Sequence, residues 1–190
     1  MRRYTMLVLL ASVLAWSASA QDATTPITIL NPQFNVDTLG CSPGSNCNSF
    51  PITGWIVGPA TGLLKASAVQ YPGTPADGIY VAYIGGPSVT GSIFQTLGVT
   101  VGANVTYTLT VRVGARADEV FTGYYAALGA GNATLASGDA AIPLGGKFVN
   151  DVIVYDSGSS PAQLGQPLQI LIKSVGTGQV NISNVTLTAK

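Results

Sequence analysis

The sequence has 190 residues and a formal net charge of zero, and 47% of its residues are hydrophobic whereas only 8% are charged. Globular chains usually carry about 25% charged residues, so this composition excludes a charge-solubilised helix bundle, a coiled coil and an acidic disordered tail. The length fits one domain, which can bury about 70% of its unfolded surface without metal ions. Because there is no basic excess, nucleic acid is not an expected partner.

The first twenty residues are organised like a secretory signal peptide. Two arginines precede an apolar run at 6–16, and the small residues that end at Ala20 form a cleavage site. The run is shorter than the roughly 20 residues that a helix needs to cross a bilayer. We therefore predict cleavage after Ala20, a mature chain of residues 21–190 without a membrane span, and secretion to the extracellular space, the periplasm or the cell surface.

Cys41 and Cys47 are the only cysteines of the chain. Two thiolates in a chain without histidine offer too few ligands for zinc, and their C-x5-C spacing differs from the C-x-x-C of redox enzymes. In an oxidising compartment we predict that they form a disulfide that closes a small loop. The loss of chain entropy in the unfolded state then stabilises the fold by about 2 kcal/mol.

The residues after the leader alternate between apolar and polar side chains. In VTYTLTVRV at 105–113 every second residue is apolar, with Leu109 at the centre, and the positions between them hold three threonines and Arg112. This period of two predicts a half-buried strand with Arg112 on its outward face. Gly, Pro and Asn separate this run from similar ones, which predicts an all-β fold, an antiparallel β-sandwich in a single domain. Further strands are predicted at 28–30, 54–57, 79–84, 91–97, 120–128, 148–155, 168–173 and 180–187.

The sequence lacks the residues on which most enzymes depend. It has no histidine, which excludes imidazole bases and histidine-based triads. Asp118 and Glu119 are the only adjacent carboxylates, and neighbours in an extended segment point to opposite faces, so they cannot flank one bond. A pairing in space of Asp118 with Asp151 or Asp156 stays open. No glycine-rich loop precedes a helix, so we expect a protein that is not an enzyme and has no catalytic residues.

Seven short motifs follow one another along the chain. They are ITILNPQFN at 27–35, GW at 54–55, PADGIYVAYIGG at 75–86, IFQTL at 93–97, VTYTLTVRVG at 105–114, FTGYYAALGAGNATLA at 121–136 and QVNISNVTLTA at 179–189. Their order is similar to that of the secreted galactose-binding-like jelly rolls, a superfamily that includes many carbohydrate-binding modules. The resemblance implies a jelly roll over residues 21–190 that binds a polysaccharide or another glycan without turning it over, although fold alone does not fix function.

The chain departs from that superfamily where its calcium-containing members hold a structural ion. An opening Glu and a closing Asp help to bind calcium in those relatives, and the matching positions here are Asn35 and Ser183. Neutral ligands leave too little negative charge for a hard cation, and Asp37 is the one carboxylate that offers a replacement. We therefore expect no metal ion and no cofactor, and structural calcium is disfavoured.

Four residues are candidates for the glycan site. A sugar site needs an exposed ring for stacking and planar hydrogen-bond donors beside it. Arg112 offers such donors unless it is a plain solvated arginine, and Tyr125 and Tyr80 are predicted to be outward-facing rings. Trp55 is either a stacking platform or, as we favour, a core residue.

A second class of function fits the same composition. The protein is then a structural or adhesive extracellular protein, which packs against copies of itself or a matrix and has no small-molecule ligand. The low charge and the high content of Thr, Ser and Gly suit both classes, and the sequence does not predict the oligomeric state.

The leader generates the first testable prediction. Secreted protein should begin at Gln21, because the small-residue site ends at Ala20. Intact mass spectrometry of the secreted material checks this, and a mass that includes the leader would contradict it.

Overall fold

The computed structural model describes residues 23–47, 51–138 and 141–190, so the predicted leader lies outside the described residues. Within these ranges every regular element is a β-strand, which confirms the all-β prediction. In the same ranges no helix has the length and hydropathy that crossing a membrane requires. In chain order the strands are β1 (Thr25–Ile27), β2 (Ile56–Val57), β3 (Thr61–Lys65), β4 (Tyr80–Ile84), β5 (Ser92–Thr100), β6 (Thr106–Ala115), β7 (Tyr124–Ala130), β8 (Ala133–Ser137), β9 (Lys147–Asp156), β10 (Pro167–Ser174) and β11 (Val180–Ala189).

The strands form two antiparallel sheets that pack into a sandwich. Sheet I has the order β3-β4-β11-β6-β9, with β1 paired to the end of β11, and sheet II has the order β2-β5-β10-β7-β8. Strands that are neighbours in a sheet are mostly distant in sequence, because the chain passes repeatedly from one sheet to the other, as in jelly rolls. The antiparallel β-sandwich that the sequence predicts is therefore confirmed.

The core lies between the two sheets and is built from alternate residues of each strand. On β6, Leu109 and Val111 are fully buried, whereas Thr108 and Arg112 lie on the outer face of sheet I. Ile170 of β10 closes the core from sheet II and is also fully buried. Each such side chain stabilises the fold by about 1.5–3 kcal/mol relative to an exposed position. The alternation read from 105–113 thus matches the observed strand.

Two strands were not predicted, and a third is displaced. β8 follows a turn at Gly131 and Asn132, whose φ angles of 54° and 68° suit the two-residue hairpin that joins it to β7. β3 is buried on both faces, so its residues show no alternation. β1 occupies Thr25–Ile27 instead of 28–30, because these residues pair with the end of β11.

The predicted outward orientation of Tyr80 is wrong. Its side chain is only 5% exposed and packs in the core between the sheets, and its hydroxyl donates a hydrogen bond to the Leu39 carbonyl at 2.6 Å. Val81 and Tyr83 point instead to the outer face of sheet I, where they are buried by other residues. Because β4 is apolar on both faces, its alternation cannot identify which face is the core.

The predicted disulfide between Cys41 and Cys47 is confirmed, with Cα atoms 5.5 Å apart. The loop that it closes lies along β3, because the Cys47 amide donates to the Leu63 carbonyl at 2.6 Å and the Gly44 amide donates to the Lys65 carbonyl at 2.7 Å. The disulfide therefore fastens the loop to the edge strand of sheet I.

Residues 66–79, which we call the cover segment, pack on the outer face of sheet I. Tyr71 of this segment stacks on Phe148 of β9, with ring centroids 4.3 Å apart. Its hydroxyl donates a hydrogen bond of 2.6 Å to the side-chain oxygen of Asn181, which is fully buried in β11. Ala66 and Ala76 pack against the small apolar cluster that includes Val81. The cover segment thereby turns one half of this sheet face into an interior.

A chain of polar contacts continues from Asn181 to the edge of the sandwich. The Asn181 amide nitrogen donates to Gln179, which also accepts a hydrogen bond from Arg116 at 3.1 Å. Arg116 forms ion pairs with Asp118 at 2.8 Å and Glu119 at 3.1 Å. The hydrogen bond between Arg116 and Asp118 raises the pKa of the Arg116 guanidinium and lowers the pKa of the Asp118 carboxyl. The two adjacent carboxylates are therefore both engaged by one arginine.

Leu109 and Thr108 test the register of β6. Leu109→Asp should destabilise the fold by at least about 3 kcal/mol, because it places a charge without a partner in the core. Thr108→Asp should change the free energy of unfolding by about 0.5 kcal/mol or less, because its side chain faces outward. Urea denaturation of both variants measures the difference, and similar losses would contradict the register.

Tyr71 generates a prediction at alkaline pH. Burial raises the pKa of the Tyr71 phenol above its usual value. A group whose pKa is higher in the folded state loses its stabilising contribution as pH rises, here above about pH 10. Tyr71→Phe should cost about 1–3 kcal/mol at neutral pH, because the Asn181 oxygen loses its donor, and should show a shallower decline in stability above pH 10. Urea denaturation from pH 7 to 11.5 measures both effects.

Tyr125→Phe is the control for removing a phenol, because Tyr125 lies on the outer face of sheet II. Equal alkaline slopes in the wild type and Tyr71→Phe would contradict the assignment to Tyr71.

Candidate active site

A polar recess of about 260 Å³ opens on the outer face of sheet I beside the cover segment. The register of three strands builds it, because Asn150 of β9 and Asn184 of β11 are the cross-strand partners of Arg112 on β6. One row further along the sheet, Thr110 faces Thr186. We call this the polar recess, and it is lined by Asp77, Thr110, Arg112, Asn150, Asn184 and Thr186.

The recess contains an ion pair between sheet and cover segment. One terminal nitrogen of Arg112 donates to a carboxylate oxygen of Asp77, and the other lies 3.4 Å from the Pro75 carbonyl. The Arg112 and Asp77 side chains are 27% and 22% exposed, so the pair is partly shielded and remains in reach of a ligand. The planar guanidinium thus holds the end of the cover segment in place.

A bulge in β11 supplies the second contact of Asp77. Ile182 pairs with Val113 and Asn184 pairs with Arg112, so Ser183 is an extra residue on β11. The hydroxyl of Ser183 is buried and donates to the second oxygen of Asp77 at 2.9 Å. Bulges often re-aim side chains beside active sites. Each carboxylate oxygen of Asp77 therefore has one donor from sheet I.

An aromatic ring lies against the ion pair. The guanidinium carbon of Arg112 is 5.2 Å from the centroid of Phe148, which is the ring that Tyr71 stacks on. A Cβ atom at Gly114 would collide with the Phe148 ring, so glycine at this position lets the ring lie on β6. The recess itself thus offers charged, amide and hydroxyl groups, and Phe148 contacts Arg112 without lining it.

This arrangement offers acid–base chemistry without histidine. A carboxylate that faces a recess can accept a proton, and Arg112 with the two asparagines can hold the polar groups of a ligand. Asp151, whose pairing with Asp118 the sequence left open, is 2% exposed and accepts a hydrogen bond from Tyr124 at 3.1 Å. Asp77 is the carboxylate that lines the polar recess.

The structure does not bring the four candidate residues of the sequence together. Arg112 lies in the polar recess of sheet I, whereas Tyr125 lies on the outer face of sheet II, where Lys173 is 4.7 Å from its ring centroid. Tyr80 is in the core, as described above. Trp55 is 5% exposed and donates to the Asn31 carbonyl at 3.2 Å, which agrees with the core interpretation.

Sequence reasoning missed Asp77, and it considered Ser183 only as the position of a calcium ligand. A signal for Asp77 was present, because it is the only acidic residue between Asp37 and Asp118. The contact of Ser183 with Asp77 gave no comparable signal, since it depends on a bulge that the strand pattern does not reveal.

The residues considered for calcium are held by protein groups. The Asn35 side-chain oxygen accepts from the Ile79 amide at 2.9 Å, and the Asp37 carboxylate accepts from the Thr53 amide at 3.0 Å. Over the described ranges, no three His, Cys, Asp or Glu side chains lie together as a metal site would require. The expected lack of a metal ion or cofactor stays a prediction.

Comparison with known proteins identifies a family of enzymes. The model of the HpiC1-like family, described as HpiC1 cyclase, matches residues 25–188. The fold is similar to that of the Stig cyclase Fisc from Fischerella sp. TAU in complex with (3Z)-3-(1-methyl-2-pyrrolidinylidene)-3H-indole, with a TM-score of 0.78 and 24% identity over 88% of this chain and 98% of that one. No curated protein sequence matches the chain.

A second solved structure shows the same likeness. It is a cyclase from Fischerella sp. TAU in complex with 4-(1H-indol-3-yl)butan-2-one, matched with a TM-score of 0.73 and 25% identity over 87% of this chain and 98% of that one. The carbohydrate-binding module TmCBM61, in complex with β-1,4-galactotriose, is matched with a TM-score of 0.47 and 16% identity over 71% of this chain and 88% of that one. That likeness is too weak to support an argument about function.

These findings correct the functional prediction. The expectation of a non-catalytic protein that binds glycan, and of no enzyme, is wrong, because the family model that matches residues 25–188 is that of a cyclase. The resemblance to galactose-binding-like jelly rolls holds for the sandwich fold and fails for the family. Because the family model spans residues 25–188, the chain belongs to the HpiC1-like family of cyclases.

Proposed function

We propose that the protein is a cyclase that closes a ring in a small organic molecule bound at the polar recess of sheet I. The observation that carries this proposal is the position of Asp77, a carboxylate that faces the recess and is held by Arg112 and Ser183. Family membership supplies the class of reaction. Because the chain has no histidine, we propose a carboxylate as its acid–base group.

Asp77 is proposed as the group that accepts a proton from the substrate. An ion-paired carboxylate in a partly shielded recess is a positioned base, and positioned acid–base groups accelerate proton transfer by about 10²–10⁴-fold. Its negative charge also favours positive charge that develops on the substrate during ring closure. Ser183 and Arg112 fix both oxygens, so the carboxylate needs little reorganisation as the proton moves.

Ring closure by this route is balanced without a further reactant. A π-electron pair of the substrate forms the new bond between two of its own atoms, one hydrogen leaves the substrate as a proton to Asp77, and the proton returns to another atom of the same molecule. The product is an isomer of the substrate, so the step needs no oxidant, reductant or leaving group.

The proposed substrates are small molecules that contain an indole or a similar flat ring. Two of the solved cyclases of similar fold are complexes with indole compounds. In this chain Arg112 offers a planar cation to the recess, while Asn150 and Asn184 offer amide groups to polar substituents. We place the reaction outside the cytoplasm, a proposal supported by the predicted leader and by the Cys41–Cys47 disulfide.

Asp77→Asn tests the proposed base. The mature protein is incubated with a panel of alkenyl-substituted indoles, and liquid chromatography with mass spectrometry detects products of unchanged mass and altered retention. Asp77→Asn should lower kcat/KM by about 100-fold or more, because an amide does not accept the proton. Binding of 4-(1H-indol-3-yl)butan-2-one, measured by calorimetry, should change by less than about threefold, because the recess keeps its shape.

Asp156→Asn is the matched control. It removes a carboxylate at the end of β9, six residues from Asn150, which is about 20 Å along the strand. Its turnover should equal that of the wild type. Full turnover by Asp77→Asn would contradict the role of Asp77, and the lack of any isomeric product from the wild type would contradict indole substrates.

A further inference from the structure

A second recess of about 440 Å³ lies within the cover segment, next to the polar recess. Its volume falls in the range of about 300–1,000 Å³ that small-molecule sites occupy. Ala76 and Gly78 line it, whereas Asp77 between them lines the polar recess. The backbone of 76–78 is therefore the wall between two separate cavities. We call the second cavity the loop recess.

The lining of the loop recess is largely apolar. Ala66, Ala68, Pro75 and Ala76 offer small apolar side chains, and Tyr71, which is only 3% exposed, also borders the recess. Ile79 also lines the recess and is 62% exposed, so its aliphatic side chain adds to the apolar surface that a ligand can reach. The recess thus suits the apolar body of a ligand.

The formal charge of this lining is positive. Lys65, at the end of β3, is the one charged residue among the lining residues. In the part of the chain that the structure describes, its ammonium group has neither an ion pair nor a hydrogen bond to a side chain. The nearest carboxylate in sequence, Asp77, is already paired with Arg112 and Ser183.

A second cation reaches the rim. The Lys147 ammonium donates to the hydroxyl of Thr74, a lining residue, at 3.2 Å. No carboxylate within the described ranges forms an ion pair with Lys147. Two cations beside an apolar cavity without an acidic lining residue attract an anion that has an apolar body.

We propose that the loop recess binds a small amphiphilic carboxylate, with its apolar body against the alanines and Ile79 and its carboxylate on Lys65. A charge-assisted hydrogen bond at the edge of an apolar cavity is stronger than one in open water, because the cavity wall excludes solvent from one side. This site differs from the proposed catalytic site, and its existence does not depend on ring closure.

The test compares 4-phenylbutyrate with its neutral amide, 4-phenylbutyramide, by isothermal titration calorimetry on the mature protein. The two probes share the apolar body and differ in charge. The wild type should bind the carboxylate at least about tenfold more tightly than the amide. Lys65→Met keeps most of the apolar stem and removes the charge, so it should weaken carboxylate binding about tenfold and leave amide binding unchanged, which also shows that the recess is intact.

Lys173→Met is the control for a general loss of positive charge, because Lys173 lies on the outer face of sheet II. It should bind both probes like the wild type. Ala76→Phe, which fills the recess, should weaken binding of both probes. The proposal is overturned if the wild type does not distinguish carboxylate from amide or binds neither, if Lys65→Met binds like the wild type, or if Lys173→Met loses as much affinity.

Asp77→Asn separates this proposal from the proposed function. It removes the catalytic carboxylate from the other side of the wall, so it should bind 4-phenylbutyrate like the wild type while turnover is lost. If the protein forms the isomeric product but does not prefer the carboxylate probe, only the proposal of a carboxylate site in the loop recess is overturned. A protein that binds the carboxylate but forms no isomer contradicts the proposed function alone.

Discussion

Tyr71 fastens the cover segment to sheet I by two contacts at once, a stack on Phe148 and a 2.6 Å hydrogen bond to the buried side chain of Asn181. The outer face of a sandwich sheet is normally exposed to water. Here the cover segment shields half of it, so that Asp77 reaches Arg112 in a partly enclosed space instead of in bulk solvent. Electrostatic contacts are stronger in such a space. The position of the proposed base therefore depends on an aromatic contact some distance from it.

The chain has few charged residues, and two arginine-centred ion-pair groups position other parts of the structure. Arg116 joins two acidic residues at the edge of sheet I and continues through Gln179 towards Asn181. Arg112 joins the cover segment to the sheet at the polar recess. Exposed ion pairs contribute little to stability, typically less than about 1 kcal/mol. Their use here is positional, because both arginines hold groups against the half of the sheet that the cover segment shields.

The sequence was sufficient for the fold class, the disulfide and most strands, because these depend on local patterns. The motifs that suggested a glycan-binding jelly roll are structural: Gln95 of IFQTL donates to the carbonyls of Leu30 and Gly54, and Trp55 lies in the core. Such residues specify a sandwich and say nothing about its chemistry. Among the residues that line the polar recess, the sequence identified only Arg112 as a candidate. The contact between Asp77 and β11 is visible only in the tertiary structure. The absence of histidine was a poor argument against catalysis, since a single held carboxylate can move a proton.

In one cross-strand row of sheet I, a glycine–aromatic pair lies on each side of Asn181. The consecutive partners in this row are Gly62, Tyr83, Asn181, Gly114 and Phe148. A Cβ atom at Gly62 would approach the Tyr83 ring to 2.8 Å, and one at Gly114 would collide with Phe148. The glycines let both rings lie flat against the sheet. Glycine weakens a strand, and an aromatic neighbour that covers it offsets part of that cost. The flat rings leave room above the sheet for the cover segment, so the row accounts for how a carboxylate from outside the sheet comes to lie over the strands.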